Sequence, residues 1–219
     1  MSFSLIFTDE LKGFYKSKVM IFLWIGLPAL AILIHLTTEA YPDLPISLFT
    51  AIIVSTLGGL ISSIMLIVNI IHEKDQRVYD LFLIRPIKRW HILISKFIAV
   101  YIIVSIACFI AVSIGIMIDL VESQIFMDLI MDQIVDLVII TLSTIAISSA
   151  FGVLIGVISP SIVAGVIIGI FVGQYIIMIP SIPGILGFES SAILVGLIAI
   201  LITDIMLALA IILFNRKQF

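Results

Sequence analysis

Six long apolar segments account for most of this chain of 219 residues. A helix that crosses the hydrocarbon core of a bilayer needs about 20 apolar residues. The segments that meet this requirement, with boundaries good to a few residues, are 19–37, 46–71, 95–118, 137–158, 161–179 and 191–214. Each is too long for a strand or an ordinary core helix of a soluble protein. We therefore predict an all-α integral membrane protein with six transmembrane helices in a single domain, 1–219.

The composition excludes several classes of protein. Hydrophobic residues make up 63% of the chain and charged residues 11%, whereas soluble domains carry about 25% charged residues. A soluble enzyme, a nucleic-acid-binding module and a disordered chain are therefore excluded. The only cysteine, Cys108, lies in an apolar segment, so it forms neither an internal disulfide nor a cysteine-based metal cluster. The chain also lacks the zinc-protease and serine-hydrolase motifs H-E-x-x-H and G-x-S-x-G.

The basic residues predict the orientation of the spans. All 11 Lys and Arg precede the first span, lie between the second span and the first turn of the third, where Lys96 is located, or follow the sixth, so six spans place them on one side. The opposite connections carry acids and no base. Because Lys and Arg concentrate in cytoplasmic loops, we predict a multi-pass protein of the cytoplasmic membrane with both termini cytoplasmic. The acidic connection 119–136 is predicted to be a solvated connector or a short amphipathic helix.

The N-terminal segment is amphipathic at helical spacing. Its large apolar residues recur every three or four positions, at Phe3, Phe7, Leu11 and Phe14. Such a pattern predicts a helix over 1–18 that lies in the membrane interface. It is either a simple anchor or a lever, parallel to the membrane, that contacts a cytoplasmic partner.

The connection 72–94 is longer than a simple link between two spans requires, and it is rich in both charged and large apolar residues. Val78, Leu81 and Phe82 would share one face of a helix, and Pro86 should end that helix. A short helix with an apolar face can dock into a groove on another protein. Alternatively, it lies on the bilayer or on its own neighbours.

This loop resembles the cytoplasmic loop of permease subunits of ABC-2-type (type-2) ABC exporters. That family commonly shows a Glu, alternating charges, Gly-Thr, a Leu-rich turn, a Pro, basic residues, Ile-Leu and Gly-Lys. The matching residues are Glu73, Lys74, Asp75, Gln76, Asp80, Leu81, Phe82, Leu83, Pro86, Lys88, Arg89, Trp90, Ile92, Leu93 and Lys96. Arg77-Val78 stands where Gly-Thr is usual, and Ser95 stands where Gly is usual. The predicted topology matches the family as well.

The resemblance implies a coupling helix at about 73–85 that sits in a cleft of an ATP-binding subunit and transmits closure of the ATPase dimer. The residues that it assigns to ATPase coupling are Glu73, Asp75, Arg77, Val78, Asp80, Leu81, Phe82, Pro86, Lys88 and Arg89. The implied partners are the ATP-binding subunit and a second permease subunit, with a homodimer expected. The chain lacks G-x-x-x-x-G-K-[ST], so ATP and Mg²⁺ are expected on the partner and no cofactor or enzyme activity on this chain.

Glycines at a spacing of four indicate close helix packing. Gly152 and Gly156 lie in the fourth span, and Gly165, Gly169 and Gly173 lie in the fifth. Small residues at this spacing let helix backbones approach closely in lipid. We predict that they pack helices within one subunit.

Asp204 is the only acid deep in a predicted span. A charge at that depth costs about 2.5–3.5 kcal/mol on insertion scales. The residue is therefore a candidate for transport or gating, or a carboxyl satisfied by a neighbouring helix. Gln174 and Tyr175 are weaker pathway candidates. The Pro- and Gly-rich stretch 180–190 forms either an external gate or a loop on the bilayer surface.

These observations predict a permease subunit of an ATP-driven exporter that forms the translocation pathway as a dimer. Two alternatives remain open. One is an ion-coupled secondary transporter or channel that uses Asp204. The other is a non-transporting membrane scaffold that recruits partners through the loop 72–94.

Overall fold

The computed structural model describes residues 3–15, 17–38, 46–76, 89–122, 127–181 and 192–216. These ranges hold seven α-helices, one short 3₁₀ helix and no strand. The α-helices in chain order are α1 (Phe3–Tyr15), α2 (Lys18–Thr38), α3 (Ile46–Asp75), α4 (Arg89–Glu122), α5 (Met127–Ile158), α6 (Ile162–Ile177) and α7 (Ala192–Arg216). The prediction of an all-α chain is thus confirmed for the described residues.

Five of these helices, α2, α3, α4, α5 and α7, are long and apolar enough to cross a membrane. The apolar helix α6 has 16 residues, which corresponds to about 24 Å at 1.5 Å per residue. That is less than the hydrocarbon thickness of about 30 Å. A 3₁₀ helix, Ile179–Ser181, follows α6 shortly afterwards. Among the described residues, the structure therefore shows five helices of full spanning length, and a sixth apolar helix that is shorter.

The helices extend beyond the predicted spans at both ends of the bundle. Helix α3 runs to Asp75 and α4 begins at Arg89, so much of the predicted loop 72–94 is helical. At the opposite end, α4 continues to Glu122 and α5 begins at Met127, so most of the predicted connection 119–136 is helical too. Hydropathy locates the apolar part of a helix, but backbone hydrogen bonding determines where the helix ends.

Helix α3 packs against α2, α4, α5 and α6. The backbones of α3 and α5 approach closely at Gly152, where a Cβ atom would lie 2.6 Å from the Cα of Ser63. One turn away, the hydroxyl of Ser149 donates a hydrogen bond of 3.1 Å to the Ser62 hydroxyl. Close backbone approach and interhelical hydrogen bonds both stabilise helix pairs in lipid.

The other predicted packing glycines also face α3. Gly165, Gly169 and Gly173 are the buried face of α6 together with Ile177. A Cβ atom at Gly165 or Gly169 would lie 2.7 or 2.6 Å from methyl carbons of Ile67. On α5, a Cβ atom at Gly156 would lie 3.0 Å from Ile70. The glycines therefore lie where α5 and α6 pack against α3.

An acid from α4 caps the start of α3. The Asp119 carboxylate accepts a hydrogen bond of 2.8 Å from the backbone N–H of Ser47, and Asp119 is only 3% exposed. Ser47 is the second residue of α3, so its N–H is one of the four that a helix leaves without an internal partner. The contact therefore joins the start of α3 to the end of α4, at the end of the bundle opposite Asp75 and Arg89.

We expect Asp119→Ala to destabilise the protein by about 0.5–2 kcal/mol, as for loss of other helix caps. The measurement is the thermal unfolding midpoint of the detergent-solubilised protein. Asp136→Ala is the matched control, since Asp136 is an exposed acid on the neighbouring helix α5. Equal midpoints for the two variants would contradict the capping role.

Candidate functional site: a buried lysine that joins three helices

Lys96 lies in the core of the bundle rather than at its surface. It is 0% exposed, and it is among the largest side chains that are fully buried. It occupies the same face of α4 as the buried residues Leu93, Val100 and Ile103. A buried ammonium group costs several kcal/mol unless acceptors compensate for the lost water. The surroundings of Lys96 must therefore supply acceptors.

Three oxygen atoms surround the Lys96 ammonium. Its Nζ lies 2.7 Å from Glu10 Oε1, 2.7 Å from Asn69 Oδ1 and 2.5 Å from Glu73 Oε1. A lysine ammonium has three N–H donors, so each donor has one acceptor. We call Lys96, Glu10, Asn69 and Glu73 the Lys96 cluster.

The Lys96 cluster joins three helices at one end of the bundle. Glu10 belongs to α1, Asn69 and Glu73 belong to α3, and Lys96 belongs to α4. Glu73 lies in the last turn of α3, and residues 77–88 connect α3 to α4. The cluster therefore fixes α1 to both helices that flank this connection. We call this end of the bundle the loop end.

The apolar face of α1 supports the same contact. Phe14 is 7% exposed and belongs to the hydrophobic core. Phe3 stacks on Phe7 with ring centroids 6.3 Å apart, and it meets the edge of His91 on α4 at 5.8 Å. Glu10 follows Phe7 by three residues and so lies on the same face. Helix α1 thus packs against α4 through both apolar and charged contacts.

The cluster holds two carboxylates for one ammonium. Burial raises the pKa of Glu10, the Lys96 ammonium acts in the opposite direction, and the negative charges of Glu73 and Asp9 raise the pKa further. The second oxygen of Glu73, Oε2, is buried and has no hydrogen-bond partner among the described residues. The cluster therefore holds more acceptor oxygens than the Lys96 ammonium has donors, and the unused one lies next to the end of α3.

A second contact fixes the loop end of α3. The Lys74 ammonium donates a hydrogen bond of 3.1 Å to the backbone carbonyl of Ser159, which follows the last residue of α5. The short link Ser159–Ser161 then leads into α6, whose first turn is capped by the Ser161 hydroxyl accepting from the Ala164 N–H at 3.3 Å. The loop end of α3 is therefore attached to α1, α4 and the α5–α6 link.

The structure describes three of the residues that we predicted for ATPase coupling. Glu73 belongs to the Lys96 cluster, Asp75 is exposed in the last turn of α3, and Arg89 is the first residue of α4. The other predicted coupling residues lie outside the described residues and are Arg77, Val78, Asp80, Leu81, Phe82, Pro86 and Lys88. A coupling helix over 73–85 consequently stays a prediction, although 73–75 belong to α3.

The predicted pathway residues lie in two different places. Asp204 is exposed at the middle of α7, where it lines a groove between α4, α5 and α7. Gln174 and Tyr175 are exposed on α6 and do not line this groove. The structure does not bring these three side chains together in one site.

Sequence reasoning did not single out Lys96, Glu10 and Asn69 as site residues. The sequence does contain one indication for Lys96 on α4 and one for Glu10 on α1. Lys96 recurs with Leu93 and Val100 at helical spacing, and Glu10 recurs with Phe7 and Phe14. A charged residue on the apolar face of two helices predicts an ion pair between them, because an unpaired buried charge is too costly.

The packed apolar helices define the class of the chain as a multi-pass, helical membrane protein. No group of three His, Cys, Asp or Glu within the described ranges is placed to hold a metal ion. Comparison with protein-family models gives no match, and a search of curated proteins gives no significant match either.

Proposed function

We propose that this chain is the membrane-spanning permease subunit of an ATP-driven exporter of the ABC-2 type. Two copies would form the translocation pathway, and each would engage a separate ATP-binding subunit that carries ATP and Mg²⁺. The chain would cross the cytoplasmic membrane six times, with α6 as the fifth span and both termini in the cytoplasm. It would form the pathway through the membrane and control access to it, and it would catalyse no reaction itself.

The Lys96 cluster is the observation that best supports this proposal. A loop that only connects two spans does not require its flanking helices to be tied together by a buried ion pair. Here Glu10, Glu73 and Lys96 hold α1, α3 and α4 together at the base of residues 77–88. A force applied to that loop would therefore move three helices as one unit. This is the mechanical requirement for a loop that receives movement from an ATPase.

The position of α1 supports the lever interpretation of the N-terminal segment. Its apolar face packs against α4, while Asp9 and Lys12 on its other face are exposed. A helix held in this way can contact a cytoplasmic partner and pass its movement to the bundle through Glu10. The basic residues near the loop end agree with a cytoplasmic location for this surface.

The test is co-purification from the native host. The tagged wild-type chain is extracted in mild detergent, and the proteins that accompany it are identified by mass spectrometry. We expect an ATP-binding subunit with a Walker A motif in near-equal amount. The variant Leu81→Asp/Phe82→Asp should lose that subunit, because two carboxylates would replace the apolar face of the coupling helix.

Val121→Asp/Val135→Asp is the matched control, since both valines are exposed and belong to the acidic connection 119–136, at the opposite end of the bundle from the loop end. It makes the same change in charge and should retain the ATP-binding subunit if it remains folded. Failure to recover any ATP-binding subunit, under conditions that preserve a known complex from the same membrane, would contradict the proposal.

The exposed Asp204 favours one alternative, an ion-coupled transporter or channel. The two functions differ in their response to substitution. The exporter is supported if changes at Leu81 or Phe82 abolish transport while transport by the Asp204→Asn variant still depends on ATP. Loss of transport with Asp204→Asn alone, and no effect of the loop variant, supports the ion-coupled alternative. A scaffold would bind its partner and transport nothing.

A further inference from the structure

A groove opens between α4, α5 and α7 in the apolar part of the bundle. Its volume is about 320 Å³, which lies in the range of small-molecule sites. Phe97 and Tyr101 line it from α4, and Ile200, Thr203 and Asp204 line it from α7. The groove is separate from the Lys96 cluster.

The acidic residue of this groove lies at the middle of a long apolar helix. Asp204 is the central residue of the 25-residue helix α7, so about 18 Å of helix extends on each side of it. Tyr101 lies at a similar distance, about 18 Å, from the start of α4. An aromatic side chain and a carboxylate therefore line the groove at a similar depth.

Asp204 lacks a partner that would explain its position. No described residue forms an ion pair or hydrogen bond with its carboxylate. The side chain is nevertheless exposed towards a region where a charge costs about 2.5–3.5 kcal/mol. A negative charge retained at this position would be stabilised by a positive charge that enters the groove from outside the chain.

The rest of the lining indicates what kind of cation fits. Phe97 and Tyr101 stack with ring centroids 5.9 Å apart and ring planes within 8°, and aromatic rings attract cations. Most other lining residues are apolar. Inorganic cations such as Ca²⁺ need six to eight oxygen ligands, and the groove offers one carboxylate and a few hydroxyl groups. A hydrophobic cation would satisfy the carboxylate, the rings and the apolar surface together.

We propose that the groove between α4, α5 and α7 binds a hydrophobic organic monocation, with Asp204 as counter-ion and Phe97 and Tyr101 as its aromatic contacts. Binding requires this chain alone. Transport of the bound ligand is a further step, and it rests on the proposed function. Phe97 directly follows Lys96 on α4, so movement received at the Lys96 cluster would reach the groove through one helix.

The test uses two ions that have the same shape and opposite charge. The purified chain is placed in nanodiscs of zwitterionic lipid, and binding of tetraphenylphosphonium and tetraphenylborate is measured by equilibrium dialysis against empty nanodiscs. We expect saturable binding of tetraphenylphosphonium and no saturable binding of tetraphenylborate. Asp204→Asn should weaken tetraphenylphosphonium binding by about tenfold or more, because the counter-ion is lost.

Two further variants keep the test decisive. Asp136→Asn removes an exposed acid outside the groove and should bind like the wild type. If Asp204→Asn does not fold, Ile200→Trp narrows the groove at an exposed position and should also weaken binding. Equal saturable binding of both ions, or wild-type affinity in Asp204→Asn and Ile200→Trp, would overturn the proposal.

A further outcome would also overturn it. If Ile200→Cys forms disulfide-linked dimers in the native membrane, and the linked dimer no longer binds tetraphenylphosphonium, a second copy of the chain fills the groove in place of a cation. The test is independent of the ATPase. Cation binding without co-purification of an ATP-binding subunit would reject only the exporter, and co-purification without cation binding would reject only this site.

Discussion

Lys96→Met is expected to destabilise the protein by about 3–5 kcal/mol, which is the typical cost of removing one partner of a buried ion pair. Methionine keeps the length and apolar stem of the side chain, so little packing is lost. The carboxylates of Glu10 and Glu73, however, would remain partly buried and opposed to each other. We expect low yield, a lowered thermal midpoint, and release of α1 from α4.

The measurement is the thermal midpoint of the purified protein by fluorescence-detected size exclusion. Lys12→Met is the matched control, because Lys12 is exposed on α1, and it should leave the midpoint unchanged. The triple variant Glu10→Gln/Glu73→Gln/Lys96→Met removes all three charges and should recover most of the loss, since no buried charge is left unpaired. A Lys96→Met protein as stable as the wild type would show that the cluster does not hold the helices together.

Gly152→Ala is expected to destabilise the protein by about 1–3 kcal/mol, the usual cost of overpacking, and Gly152→Leu by more. A Cβ atom at this position would lie 2.6 Å from the Cα and from the carbonyl oxygen of Ser63. These are backbone atoms of α3, which cannot move aside as a flexible side chain would. The two helices would have to separate, and the hydrogen bond between Ser149 and Ser62 would be strained.

Gly13→Ala and Gly196→Ala are the matched controls for this substitution. A Cβ atom at Gly13 would meet nothing within 4 Å, and one at Gly196 would lie 3.4 Å from the nearest atom, a methyl carbon of Ile139. Both variants should keep the wild-type thermal midpoint or raise it slightly, because alanine favours helix. If Gly152→Ala unfolds at the same temperature as these controls, the close crossing of α3 and α5 is not as described.

Much of the helical framework could be predicted from hydrophobic segments alone. The predicted spans correspond in order to α2, α3, α4, α5, α6 and α7, because apolar runs of this length must be helical in a bilayer. The ends of the helices could not be predicted. In 119–122 and 127–136 the chain turns polar without a proline or glycine, so the helices continue past the apolar segment.

The Lys96 cluster could be predicted only in part. Each residue lies on an apolar face of its own helix, so the sequence indicates that Lys96 and Glu10 need partners. It does not indicate which partners they find. Glu10 and Lys96 are far apart in sequence, and their contact depends on how α1 packs against α4. The resemblance to exporter permeases predicted a coupling role for Glu73, which stays a prediction, and the structure places the Glu73 carboxylate against Lys96.

The site at Asp204 could likewise be predicted only in part. Its position in an apolar span singled it out, but the sequence left open whether a neighbouring helix satisfies the carboxyl. The structure places it exposed in a groove whose aromatic residues come from α4. Residues on α4 and α7 meet only through tertiary packing, so the composition of the groove could not be read from either segment.

The proposed exporter requires two copies of this chain to work with two ATP-binding subunits. Native mass spectrometry of the complex released from mild detergent tests it most directly, because it reports composition and stoichiometry together. We predict a particle that contains two copies of this 24.1 kDa chain and two copies of a P-loop ATPase, and that loses the ATPase in Leu81→Asp/Phe82→Asp. A stable particle that transports substrate in reconstituted vesicles and contains this chain without any ATP-binding subunit would contradict the account.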